Sequence, residues 1–228
     1  MNDSEFEKLN NSKLEKEKRE PKITTKLIAQ IGVMVAILIV GAQIAIPLPW
    51  SPVPLTMQTL IVMLVGIVFK PLTALSTVGI YILMGLIGIP VFAGFNNFTA
   101  FAGPTGGFII SFLAASFVFS LFSGIIQRRF IKEKDKYGTL DINYKRNLKI
   151  ARFYKYSFLI LLTMLFTAIV YTFGTAWFMI FIRNFAANPR PILLSEALLL
   201  VALPFLPGDI IKAAIAIAVF SQVVKLRK

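Results

Sequence analysis

Asp209 and Lys212 are an acid and a base three positions apart, in Pro204-Phe205-Leu206-Pro207-Gly208-Asp209-Ile210-Ile211-Lys212. On a helix that spacing puts both side chains on one face. The residues that follow, Ala213 to Phe220, are all apolar. A single charge at bilayer depth costs roughly 2.5 to 3.5 kcal/mol on insertion scales. Such charges persist where they meet each other, a polar group or a water-filled cavity, and there they commonly mark a binding or transport site. The alternative is a structural ion pair that locks this helix to a neighbour.

The rest of the chain fits a bilayer. Of 228 residues, 57% are apolar, against about 45–50% in soluble domains. There is no Cys and no His, which removes thiolate and imidazole metal sites, disulfides and the commonest general base. No metal site and no cofactor are expected. The net charge of +13 sits mainly beside apolar segments, so positive-inside topology explains it better than nucleic-acid binding.

Hydropathy and breakers divide the chain. Residues 1–22 form a polar tail with six acids and six bases, read as a cytoplasmic extension, ahead of a membrane domain at 23–228. Spans are expected at 23–46, 55–69, 72–89, 108–126, 157–182 and 207–224. The first stops at a proline cluster, 47–54, that cannot continue a helix. Residues 91–107 are an uncharged, glycine-rich connection, too apolar for an ordinary solvated loop. Residues 127–156 are a basic insert far too charged to cross, and 192–203 are apolar but short, a half-helix leading into Pro204.

Charge placement orients these spans. The tail, Lys70, the 127–156 insert and the C-terminus carry most of the Lys and Arg, whereas the opposite connections carry Arg183 and Arg190. An all-α fold with six transmembrane helices and both termini cytoplasmic follows. Asp209 and Lys212 then lie in the outer half, on the same side as 91–107. Asn96, Asn97 and Thr105 can meet them there, and Phe92, Phe95, Phe98 and Phe101 can cover the apolar part of a small ligand. The asparagines can instead simply shape a turn.

Several segments together, in order, resemble the BioY family, the biotin-specific substrate-capture (S) components of energy-coupling-factor (ECF) transporters. They are Ile44-Ala45-Ile46-Pro47-Leu48-Pro49 with Val53-Pro54-Leu55-Thr56-Met57-Gln58-Thr59-Leu60, Gly85-Leu86-Ile87-Gly88-Ile89-Pro90-Val91-Phe92-Ala93-Gly94, Gly103-Pro104-Thr105-Gly106-Gly107-Phe108, and the segment from Pro204 to Lys212. The resemblance implies a multi-pass protein of the bacterial plasma membrane that captures biotin from outside. It also implies docking in the lipid bilayer onto a transmembrane coupling protein with two cytoplasmic ATPase subunits. Asp209 and Lys212 are implied ligand residues, with Asn96 or Asn97 nearby and Gln58 and Tyr81 as further candidates. Buried polar groups such as these two can equally be satisfied packing groups.

Small residues on the first helix make the partner contact in such families, and Gly32-x-x-x-Ala36 occupies that place. The spacing itself permits close helix packing, within the chain or against a partner. The tail and the 127–156 insert look longer than is usual for the family. Gly103-Pro104-Thr105-Gly106-Gly107 lacks the Lys-Ser/Thr ending of a nucleotide-binding loop, so the chain itself is not expected to hydrolyse ATP. An enzyme using Asp209 needs a second catalytic group, and only Glu196 and Lys212 remain near lipid depth; paired intramembrane charges more often serve pathways, so no enzymatic activity is expected. The alternative function is an S component for another vitamin, or a vitamin transporter working without the ATPases.

Overall fold

The computed structural model describes residues 24–136 and 144–226, with side chains described for 24–129, 150 and 153–223. The expected tail at 1–22 and the middle of the basic insert, 137–143, lie outside the described residues. Backbone contacts divide the chain into two compact units, 1–33 and 34–228. In the first, Thr24 starts helix α1 (Thr25–Gln43), its hydroxyl accepting the Leu27 N–H at 3.3 Å as an N-cap does.

After α1 the proline cluster forms a hairpin, a departure from the all-α expectation. Strands β1 (Ala45–Leu48) and β2 (Ser51–Thr56) run antiparallel, with Ala45 opposite Thr56 and Leu48 opposite Ser51. Pro47 falls at the irregularity between Ile46 and Leu48, where a missing N–H costs no ladder bond. A proline-rich stretch cannot be helix, but it can be a short two-stranded ribbon.

Helices α2 (Gln58–Val68) and α3 (Pro71–Leu86) follow. Pro71 stands at the start of α3, where its fixed φ suits the first turn. Residues 93–95 form a single 3-10 turn and Phe98–Ala102 a short helix, α4. Then come α5 (Gly106–Lys136), α6 (Tyr144–Asn184) and α7 (Leu194–Val201), a 3-10 turn at Leu203–Phe205, and α8 (Leu206–Leu226). The described ends of the basic insert are therefore helical, as extensions of α5 and α6. The short apolar segment before Pro204 is the half-helix its length predicts.

Among the described residues, four stretches are long and apolar enough to cross a bilayer: Thr25–Gln43, Gly106–Arg129, Phe153–Asn184 and Leu194–Val223. The second and third expected spans are the shorter apolar helices α2 and α3. At 1.5 Å per residue α2 rises about 16 Å, roughly half the hydrocarbon thickness. Its carbonyls at the far end are met from within the protein: Ser123 donates to Gly66 O at 2.7 Å, Gln127 to Ile67 O at 3.1 Å and Ser120 to Phe69 O at 2.5 Å. In lipid, only such internal partners can satisfy a helix that ends early.

A core of large apolar residues such as Phe119, Phe166 and Phe220 is buried, yet several polar residues also turn inward and many large apolar ones turn out. Ser111, Ser116, Thr77 and Gln58 are buried, whereas Val40, Leu72, Leu83, Leu161, Ile210 and Ile211 are exposed. A soluble protein would bury that much apolar surface. The pattern is that of a multi-pass membrane protein, with α5 at the centre of the packing against α2, α3 and α6.

Candidate functional site

The final helix begins where Pro207 and Gly208 allow it. Pro207 sits in the first turn of α8, and a Cβ on Gly208 would lie 3.2 Å from both Leu55 methyl carbons of the hairpin. Asp209 follows in that same first turn, where the helix dipole favours a carboxylate. Both Asp209 and Lys212 are buried, at 6% and 5% exposure.

Their pairing is direct and shared. Lys212 Nζ donates to Asp209 Oδ1 at 2.8 Å and to Thr59 Oγ1 at 3.0 Å. Tyr171 O–H donates to Asp209 Oδ2 at 2.5 Å, and Thr59 O–H reaches Asp209 Oδ1 at 3.5 Å. An ammonium has three donors, so one Lys212 N–H remains beyond these two bonds. The packing of α2 and α6 against α8 brings Thr59 and Tyr171 to the pair.

The pair lines a cavity of about 270 Å³. Pro52 to Thr56 of the hairpin form one wall, Phe92, Ala93, Asn96, Thr99 and Ala100 another. Phe108, Ile109 and Phe112 of α5, Val170 and Tyr171 of α6, and Phe205 complete it with Gln58, Thr59, Pro104 and Thr105. One end is charged and hydrogen-bonding; the rest is largely apolar. Among the lining residues Asp209 and Lys212 are the charged ones.

Of the residues singled out from the sequence, Asp209, Lys212, Asn96 and Gln58 line this cavity together, while Tyr81 and Asn97 do not. Gln58 is fully engaged at its edge, accepting from Thr56 Oγ1 at 3.1 Å and donating to Tyr81 O–H at 2.5 Å. Tyr81 is wholly buried behind it and donates on to Val91 O at 3.2 Å. Asn97 caps α4, accepting from Thr99 N–H at 3.3 Å, and donates to Gly88 O at 3.2 Å. Asn96 combines both roles: it lines the cavity while its amide donates to Ala93 O at 2.8 Å. Turn shaping therefore accounts for the side-chain bonds of both asparagines.

The aromatic lining differs from the expectation. Phe92 lines the cavity, but Phe95 and Phe98 are exposed and Phe101 is not part of the wall. Phe108, Phe112 and Phe205 take their place. Glu196, the other acid near the apolar segments, is bound by the Arg190 guanidinium, with Arg190 Nη1 3.3 Å from Oε2, and lies outside the cavity wall. Gly32 and Ala36 are exposed on α1.

Three further cavity features escaped sequence reasoning. Tyr171 is one hydroxyl in a long apolar helix that also carries Thr163, Thr167 and Thr175, and nothing in its spacing marks it out. Thr59 was findable as the next residue after Gln58 in the same helical turn. The hairpin wall needed a strand assignment that its prolines obscure.

The sequence pattern of the BioY family matches residues 13–228. The probable biotin transporter BioY of Pyrococcus horikoshii is 32% identical over 195 residues, covering 85% of this chain and 93% of that one. The biotin transporter BioY of Lactococcus lactis is 30% identical over 194 residues, 84% of this chain and 85% of its own. Among solved structures, the S-component for biotin from an ECF-type ABC transporter superposes with a TM-score of 0.64 at 26% identity, covering 88% of this chain and 91% of that one. Matched from its sequence pattern to its three-dimensional course, this chain belongs to the BioY family.

Proposed function

We propose that this protein is the biotin-capturing S component of an ECF transporter. The observation that carries the reading is the buried Asp209–Lys212 pair at the polar end of an otherwise largely apolar cavity. A ureido ring offers two N–H donors and one carbonyl acceptor. A carboxylate accepts from the N–H groups, and the third Lys212 N–H can donate to the carbonyl. The thioether ring and aliphatic chain suit walls made by Phe92, Phe108, Phe112 and Phe205. At about 270 Å³ the cavity is near the lower end of small-molecule sites, roughly 300–1,000 Å³. The named relatives support biotin over other vitamins.

In this reading the chain crosses the plasma membrane of a bacterial cell six times, with α2 and α3 as the short crossings and both termini in the cytoplasm. The cavity opens outward, and the described ends of the basic 127–156 segment face the ATPases. The exposed Gly32 and Ala36 offer small-residue spacing for a transmembrane coupling protein carrying two ATPase subunits. ATP hydrolysis by those partners drives reorientation and inward release, and this chain contributes capture.

Isothermal titration of biotin into detergent-solubilised protein tests the proposal, with Asp209→Asn and Lys212→Met alongside. Tight binding lost in both variants supports ligand and site together. Folded wild type that binds no biotin sinks the reading.

A further inference from the structure

Gln43, the last residue of α1, reaches across to a segment 48 to 52 positions later in the chain. Its Nε2 donates to Phe92 O at 3.1 Å and Val91 O at 3.4 Å, and its Oε1 accepts the Phe95 N–H at 2.9 Å. That segment has unusual backbone. Gly94 has φ 70° and Phe95 has φ 57°, the left-handed region in which a residue with a Cβ carries a steric cost. Phe95 is 72% exposed, so burial of its ring does not account for the conformation. The bond from its N–H to Gln43 does favour it, together with the Phe92–Asn96 bridge, whose N–H···O distance is 2.9 Å. The same segment supplies Phe92, Ala93 and Asn96 to the cavity wall, while Gln43 itself does not touch the cavity.

We infer that Gln43 is a positioning residue for ligand capture: its amide clasps residues 91–96 in the strained turn that sets Phe92 and Asn96 against the ligand. The inference rests on the biotin-binding reading. A purely structural role is the competing account, since Gln43 Nε2 also approaches Ile39 O at 3.4 Å and could serve only to finish α1. The two accounts differ at Phe95. If the clasp exists to hold a left-handed residue, glycine at 95 removes the steric cost and makes the clasp less necessary.

The test compares wild type, Gln43→Leu, Phe95→Gly and the double variant in detergent. Biotin association and dissociation are followed, together with hydrogen exchange of residues 91–97 without ligand. Gln43→Leu should release biotin about tenfold faster with little change in association, a loss of the size one or two half-buried hydrogen bonds give. Exchange in 91–97 should rise. Phe95→Gly alone should stay within about threefold of wild type, and the double variant should regain most of the lost affinity. Should Gln43→Leu fail to fold, Gln43→Met, which keeps the unbranched length and removes both the donor to Phe92 O and the acceptor for Phe95 N–H, takes its place in the same comparison. Unchanged release and exchange in the Gln43 variant overturns the inference, as does a loss that Phe95→Gly leaves uncorrected. If wild type binds no biotin, the functional reading falls instead, and exchange in the ligand-free protein alone decides whether Gln43 holds the turn.

Discussion

Tyr171 and Asp209 stand 38 positions apart in the chain, and the Tyr171 hydroxyl donates to Asp209 Oδ2 at 2.5 Å. With Lys212 and Thr59 on Oδ1, both carboxylate oxygens are held, and the carboxylate is fixed in orientation at the cavity wall. A charge-assisted bond of this kind is stronger than a neutral one. Tyr171→Phe removes the donor and keeps the ring. Biotin affinity should fall about tenfold, matching the roughly 1–3 kcal/mol left when a buried acceptor loses its partner. Titration calorimetry measures this directly. An unchanged affinity would mean that Asp209 does not depend on Tyr171 for its orientation.

The Asp209–Lys212 pair predicts an asymmetry between stability and binding. Each member is buried, so removing one leaves the other charge uncompensated, at about 3–5 kcal/mol. Asp209→Asn and Lys212→Met should each lower the melting temperature in detergent. The double variant buries no charge and should recover much of the stability. It should still bind no biotin, because both ligand-reading groups are gone. Thermal unfolding of all four proteins, with and without biotin, separates the two effects. A double variant less stable than either single one would contradict the pairing.

How much of this could be read from the chain differs from residue to residue. Asp209 and Lys212 were legible because charge within apolar sequence is expensive and rarely incidental. Among the described residues, the four long apolar stretches were legible through length and hydropathy. Asn97 was ambiguous because one side chain can serve a ligand or cap a helix, and only its bond to Thr99 N–H assigns it to α4. The hairpin was hidden because Ser51-Pro52-Val53-Pro54 shows no clean alternation and its prolines argue against a strand. Charge excluded the 127–156 insert from the membrane, but charge is silent on helix, and α5 runs on to Lys136.

The contact between α5 and α6 depends on glycines that permit close approach. A Cβ on Gly107 would lie 2.6 Å from Phe173 O and would collide with Trp177 Cβ. Neither is the free end of a flexible side chain, so the helices must separate. Gly107→Ala should destabilise by about 2 kcal/mol, within the range for overpacked cores. It should also disturb the bond from Trp177 Nε1 to Gly103 O, now 2.9 Å, which ties α6 to the turn before α5. Gly124 in the same helix provides the control, since a Cβ there meets nothing within 4 Å. Gly124→Ala should be neutral or stabilise by up to about 1 kcal/mol through helix propensity. Melting curves of the two variants give the comparison.

Capture and energy coupling should be separable on α1. Gly32 and Ala36 are exposed and four positions apart, and neither lines the cavity. Small residues at this spacing let another helix backbone come close, and a bulky side chain at either position holds it away. Gly32→Leu and Ala36→Leu should therefore leave biotin affinity of the isolated protein unchanged. Co-purification with the proposed transmembrane coupling protein should be lost, and cellular biotin uptake with it. Because the substitutions place an apolar side chain at an already exposed helix position, folding should survive, and retained biotin binding reports that it has. Uptake that persists in both variants would move the docking surface elsewhere. A loss of biotin binding in the isolated variants would show instead that this face packs within the protein and contributes to holding the cavity in shape.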